Sequence, residues 1–241
     1  MILCGVDIET SGLDKEVDHI TEIGWSIKRH GIKRPLIDKR FYVRGATTIP
    51  DKVKQLTEIY PQHCEVLGKD LGVIINELLL DIRLTKAEAF VAHNVAFDRT
   101  WLEHKAPELT NTIPWIDTLH DIDWSKTDVR SRHLPYLCAE YGFINPFPHN
   151  AMADVWAMLR VLDEFEIAEV YERSKSPMVT VAALVDFEQK DKAKEQKYRW
   201  QSYNDREYPK RWVKVIKECD LDREQEVCKT AGFEIRIIDR W

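Results

Sequence analysis

The 241-residue sequence predicts a mixed α/β layer fold followed by a small α+β C-terminal module. Three observations carry this. Short β-type runs alternate with helical apolar patterns in the first part of the chain. A Ser-rich, Pro-terminated stretch, RSKSP at 173–177, then interrupts the pattern, and residues 178–238 read in the order βαββαβ. The expected domains are therefore 1–175 and 176–241.

ILCGVDIE is a β-type run, and HITEIGWSIK from His19 is a second, with apolar alternation at Ile20, Ile23, Trp25 and Ile27. KRFYVR, Lys39 to Arg44, makes a third, and three strands joined by short turns predict an antiparallel opening. Apolar residues at 71, 74, 75, 78, 79 and 82 match the 3.6-residue period, which predicts a helix from Leu71 to Ile82. AFVA from Ala89 reads as a buried strand, Ala96 to His104 as a helix ending before Pro107, and PWIDTL from Pro114 as another short strand. His133 to Tyr141 is a predicted helix with Gly142 after its end. One long helix is expected from Ala151 to Arg173, with Val155, Leu159, Leu162, Phe165 and Val170 on its apolar face. In the module, strands are expected at 178–186, 198–203, 211–217 and 233–238, and helices at 187–196 and 220–230.

Hydrophobic residues make up 44% and charged residues 32%, with 9 Gly and 10 Pro, which excludes collagenous, coiled-coil and mainly disordered chains. MILCGVDIET lacks a basic segment ahead of its short apolar run, so neither a signal peptide nor a membrane span is expected there. The longest later apolar stretch, Leu71 to Leu80, is interrupted by Asn76 and Glu77 and falls short of the roughly 20 residues a span needs. Five cysteines without a Cys-x-x-Cys pair read as reduced thiols, and the expected location is cytoplasmic.

The net charge of −6 is uneven: residues 176–241 hold 14 Lys/Arg against 13 Asp/Glu, so the acidity lies in the first part. Within 190–217 there are ten basic residues against four acidic ones, interleaved with Tyr198, Trp200, Tyr203, Tyr208 and Trp212.

Asp7 and Glu9 stand two apart near the end of a predicted strand, so both side chains project from one face and can converge on one cation. A solvated strand end is the bland alternative for such a pair. Its company tells against that: HNVAFD puts Asp98 in the first turn of a helix that follows a strand, where α/β sheets build their sites, and HNAMAD puts His149 five residues before Asp154. Carboxylates without Cys suit Mg²⁺ or Mn²⁺ rather than zinc. Two such ions can activate a water and stabilise the leaving oxygen of an in-line phosphoryl displacement, so phosphodiester hydrolysis fits the ligand set. A histidine titrating near pH 6.5 can take the proton of that water, and His149, in a loop flanked by Pro146 and Pro148, is the expected general base.

DIETSGL at 7–13, ITEIG at 20–24, HNVAFD at 93–98 and HNAMAD at 149–154 resemble, in order and spacing, the signature motifs of the DEDDh 3′–5′ exonucleases, over residues 2–165. Within that family, VAHNVAFDR followed by PWIDTL is most similar to exonuclease X and the proofreading-subunit branch. The resemblance implies an RNase H-like fold with a mixed five-stranded sheet flanked by helices. It implies that Asp7, Glu9, Asp98 and Asp154 bind two divalent ions and that His149 orients or deprotonates the attacking water. Thr10 and Leu13 match positions that contact the terminal nucleotide, through backbone groups and an apolar wedge. His93, Asn94 and Phe97 match the HNxxFD pattern and either contact substrate or fix the strand-to-helix turn. Glu22 reads as structural, and Asp117 as a strand-end or capping carboxylate.

KYRWQSYNDREYPKRWVKVIK mixes cations with aromatics as a single-strand-binding surface does. Equally, Trp200 and Trp212 can be the core of a small two-layer module with its cations solvated. The expected activity is release of nucleoside 5′-monophosphates from 3′ ends, of single-stranded DNA ahead of RNA. The alternatives are an exoribonuclease, a nucleic-acid-binding protein without turnover, and a proofreading or RNA-trimming subunit inside a replication or repair assembly.

Overall fold

The computed structural model describes residues 1–202 and 210–241. Tyr203 and Tyr208, and with them the end of the strand expected at 198–203, lie outside the described residues. The chain forms two compact units, Met1–Tyr171 and Glu172–Trp241.

The first unit is built on a five-stranded mixed sheet of β1 (Ile2–Thr10), β2 (Ile20–Arg29), β3 (Ile37–Tyr42), β4 (Ala89–Ala92) and β5 (Trp115–Asp117), in the order β3-β2-β1-β4-β5. The first three strands are antiparallel, while β4 and β5 run parallel to β1. Its helices are α1 (Asp51–Thr57), α2 (Leu71–Thr85), α3 (Val95–Lys105), α4 (Leu134–Glu140) and α5 (Ala151–Leu162), and α6 (Ile167–Ser174) spans the boundary between the units. Neighbouring strand residues alternate between two cores, one on each face of the sheet. Cys4 and Phe90 join Trp25 and the apolar stripe of α2 (Ile74, Ile75, Leu78), while Leu3, Ala89 and Val91 join Val155, Leu159 and Leu162 of α5.

Two glycines let α5 lie close on the sheet. A Cβ on Gly24 of β2 would stand 2.9 Å from the Met152 backbone nitrogen, and one on Gly5 of β1 would stand 2.8 Å from Leu159 Cδ1. Both approaches are closer than a methyl group tolerates. The long helix expected from Ala151 to Arg173 is in fact two, α5 and α6, parted at Asp163–Glu166. Asp163 accepts hydrogen bonds from the Gly31 backbone N–H at 2.9 Å and from Lys28 Nζ, and the Phe165 ring turns edge-on to Trp124 and Tyr141. Tertiary partners end the helix where the local sequence carries neither Gly nor Pro.

The second unit is a four-stranded antiparallel sheet of β6 (Met178–Leu184), β7 (Arg199–Ser202), β8 (Lys210–Lys217) and β9 (Glu234–Arg240), in the order β7-β8-β6-β9. With α7 (Lys190–Glu195) and α8 (Leu221–Ala231) it has the expected βαββαβ order. Its core gathers Val179, Val181, Ala193, Tyr198, Cys228 and Phe233. Glu224 is buried there with its charge answered: it accepts from Tyr198 Oη at 2.9 Å and from Lys214 Nζ at 2.8 Å. Among the described residues, no helix is long and apolar enough to cross a membrane.

Candidate active site

The site lies at the C-terminal ends of the parallel strands β1 and β4, and its acids come from β1 and from the first turns of α3 and α5. Asp7 and Glu9 project from one face of β1, which continues past the end of β4. The Ile8 N–H between them therefore has no β4 partner, and it donates instead to Asp98 Oδ1 at 3.1 Å, which seats the buried Asp98 beside both acids.

Asp98 is in turn placed by the cap of α3. Asp117, at the end of β5, accepts from the backbone N–H groups of Asn94, Val95 and Leu119 at 3.1, 3.1 and 2.8 Å. This carboxylate answers orphan donors at a helix start, which is the capping role. Asn94 takes the left-handed conformation at the N-cap (φ 83°), and the two ring nitrogens of His93 meet Thr118 Oγ1 at 2.9 Å and the Arg132 carbonyl at 2.8 Å. His93 and Asn94 thus shape the turn, and the His93 ring is engaged within the protein. Burial pushes its pKa down.

Asp154 stands in the first turn of α5, whose start is pinned to the sheet by Glu22. That carboxylate, 1% exposed, accepts from the Ala151 N–H at 2.8 Å and lies 3.5 Å from Arg40. Asn150 caps the helix by accepting from the Ala153 N–H at 3.2 Å. Asp154 itself accepts from the His149 backbone N–H at 2.9 Å and from Asn145 Nδ2 at 2.5 Å, and Asn145 Oδ1 accepts the Phe147 N–H at 3.1 Å. The loop 145–149 is thereby clipped to the acid that follows it. His149 is exposed and holds φ 63°, a backbone state that costs a non-glycine residue about 1–3 kcal/mol. The bond from its N–H to Asp154 offsets part of that strain.

The outcome is convergence: ligand atoms of Glu9, His149 and Asp154 all lie within 4.8 Å of one another. Asp7 rises well above the usual carboxylate range because it is buried and faces Asp98, Glu9 and Asp154. Burial and the neighbouring charges push Glu9 up to about 9 and Asp98 up to about 8. Burial also raises Asp154, against the pull of the His149 and Asn145 hydrogen bonds. Four carboxylates are crowded, each raised by burial and all but Asp154 also by the charge of neighbouring acids, and among the described residues none of them forms an ion pair with Lys or Arg. A site so arranged favours a multivalent cation, and an oxygen-rich donor set fits Mg²⁺ or Mn²⁺.

The remaining sequence candidates flank these acids. Thr10 ends β1 with its hydroxyl donating to the Gly12 carbonyl at 2.6 Å, so it shapes the turn through its side chain. Leu13, beyond that turn, is 86% exposed, and with Phe97 and Trp101 it lines a hollow of about 560 Å³. Asn145 is the site residue that sequence reasoning missed; the available signal was an amide in a Pro-bracketed loop four residues before His149.

The RNase_T exonuclease family model matches residues 4–162, well over half of the chain and every acid just described. The chain belongs to this exonuclease family. The chain is 31% identical over 100 residues to the PolC-type DNA polymerase III of Mycoplasmopsis pulmonis. That stretch is 41% of this chain and 6% of the polymerase, so only a small part of that relative's length is shared. Exonuclease I of E. coli, solved in complex with a dA16 oligonucleotide, matches 97% of this chain and 68% of its own, with 14% identity and a TM-score of 0.64. The nuclease domain of 3′hExo, a DEDDh family member solved with rAMP, matches 68% of this chain and 90% of its own, with 15% identity and a TM-score of 0.58. These structural likenesses establish that the exonuclease domain has the RNase H-like fold expected from its motifs.

Proposed function

We propose that this exonuclease hydrolyses the terminal phosphodiester bond at 3′ ends of single-stranded DNA and releases nucleoside 5′-monophosphates. The observation that carries the reading is the 4.8 Å grouping of Glu9, His149 and Asp154 beside Asp7 and Asp98. Asp7, Glu9, Asp98 and Asp154 would hold two Mg²⁺ or Mn²⁺ ions, which supply Lewis-acid activation of water and neutralise the leaving oxygen.

The protein's own groups do the rest. Asp117 and Glu22, by fixing the starts of α3 and α5, keep Asp98 and Asp154 in place while a polyanion approaches. The His149 imidazole, within 4.8 Å of Glu9 and Asp154 and open to solvent, accepts the proton of the attacking water on a ring nitrogen and passes it to bulk water. Leu13, Phe97 and the backbone at Thr10 receive the terminal nucleotide, the apolar side chains covering its base.

The sequence likeness to a PolC-type DNA polymerase supports DNA as the polymer and replication or repair as the setting. RNA is the second reading, favoured by the fold shared with an exonuclease that binds rAMP. Incubating 3′-labelled DNA and RNA oligomers with Mg²⁺, Mn²⁺ or EDTA decides it. Metal-dependent loss of the 3′ nucleotide from DNA is expected, and oligomer binding without release in any metal would support the non-catalytic alternative.

A further inference from the structure

Two sets of cations in the second unit differ in how they are answered. Arg173, Lys214 and Arg240 are answered by Asp220, Glu224 and Glu218. Lys194, Lys197, Arg199 and Lys210 have no carboxylate partner among the described residues, and all four are exposed. They lie on α7, on the turn after it, and on the two strands at one margin of the sheet, where β7 is the edge strand.

Aromatic surface runs through the same stretch. The Phe187 ring is 80% exposed under Lys190 Nζ, 3.7 Å from its centroid. Trp200 on β7 is 54% exposed, and its ring centroid is 5.6 Å from that of Trp212 across the strand pair. Trp212 itself packs half-buried against the module's core, so it fixes the floor on which Trp200 rests. Of the two readings the sequence allows, Trp212 follows the core one and Trp200 the surface one. An indole held by a cross-strand neighbour keeps its geometry without a ligand, which is what stacking on a base requires.

We propose that this margin of the second unit, Trp200 and Phe187 with Lys194, Lys197, Arg199 and Lys210, is a binding site for single-stranded nucleic acid. The unpaired cations meet phosphates and the exposed rings stack on bases, a combination that neither a duplex surface nor an acidic protein uses as fully. The site extends the nuclease reading, but it is built from other residues and needs no metal.

The test is fluorescence anisotropy of the full chain with an oligothymidylate of about 16 nucleotides in EDTA, where hydrolysis plays no part. Trp200→Ala is expected to weaken binding by about 5- to 150-fold, and Trp200→Phe to retain most of the affinity. Lys194→Ala/Arg199→Ala, two exposed positions that leave the core intact, should lower the slope of log affinity against log salt by about 1.4. An abasic oligomer of equal length should bind more weakly and be insensitive to Trp200→Ala. Unchanged affinity and slope in the folded variants would overturn the proposal. So would an equal loss with the abasic strand, or wild-type binding to anionic lipid vesicles in preference to the oligomer.

Discussion

The Asp154 carboxylate accepts a 2.5 Å hydrogen bond from Asn145 Nδ2 and, through its other oxygen, the backbone N–H of His149. One acid therefore ties together the first turn of α5 and the loop that carries the imidazole. Asn145→Ala removes the side-chain clip, and outer-shell partners of metal ligands are worth about 10- to 100-fold in metal affinity or activity. The Mn²⁺ concentration giving half-maximal rate should rise by about that factor, with Mn²⁺ binding by calorimetry weakened in parallel. Unchanged metal affinity would separate Asn145 from the site.

His149→Ala should act differently. As the proton acceptor, the ring contributes about 10²- to 10⁴-fold to the chemical step. A fall in kcat of that size with Mn²⁺ affinity retained is the expected result. A fall in Mn²⁺ affinity instead would make His149 a metal ligand, a role its 4.8 Å spacing from Glu9 and Asp154 also permits.

Gly24→Ala tests how α5 is seated. The added methyl would stand 2.9 Å from the backbone nitrogen of Met152, which cannot swing aside as a side chain would. A loss of about 1–3 kcal/mol in urea unfolding is expected, together with reduced activity because Asp154 shifts with the helix. Wild-type stability would show that α5 does not press on β2 there.

The crowded carboxylates set a pH dependence. In the metal-free protein Glu9 is raised from 4.5 to about 9 and Asp98 from 3.8 to about 8. Between the unfolded and folded values the folded state holds protons that the unfolded chain has released, so stability falls as pH rises across that window. The melting temperature in EDTA should therefore drop between pH 6 and pH 9. Mn²⁺ favours the charged forms, so its stabilising effect should widen over the same range, with protons released on binding at pH 7. A metal effect independent of pH, without proton release, would contradict the assignment of these acids.

The grouping of the acids was legible because they sit inside local patterns: DIETSGL at a strand end, HNVAFD at a strand-to-helix turn and HNAMAD at a helix start each join a carboxylate to the backbone feature that aims it. The five strands were also visible, β2 through its apolar alternation and β4 as a continuous buried run. What escaped depends on distant partners. The break between α5 and α6 is made by Lys28, Gly31, Trp124 and Tyr141, none of them near Asp163 in sequence. Glu22 read as structural, yet its partner, the Ala151 N–H, lies 129 residues away and shows only in three dimensions. Helix α1 buries no residue, so it leaves no apolar stripe in the sequence to read.

The measurement closest to the central claim is release of mononucleotides from a 3′-labelled single-stranded DNA oligomer, with Mg²⁺, with Mn²⁺ and with EDTA, beside an Asp7→Ala control. The account predicts nucleoside 5′-monophosphate release that EDTA and the substitution each abolish. Release that persists in EDTA or in the Asp7→Ala protein would contradict it.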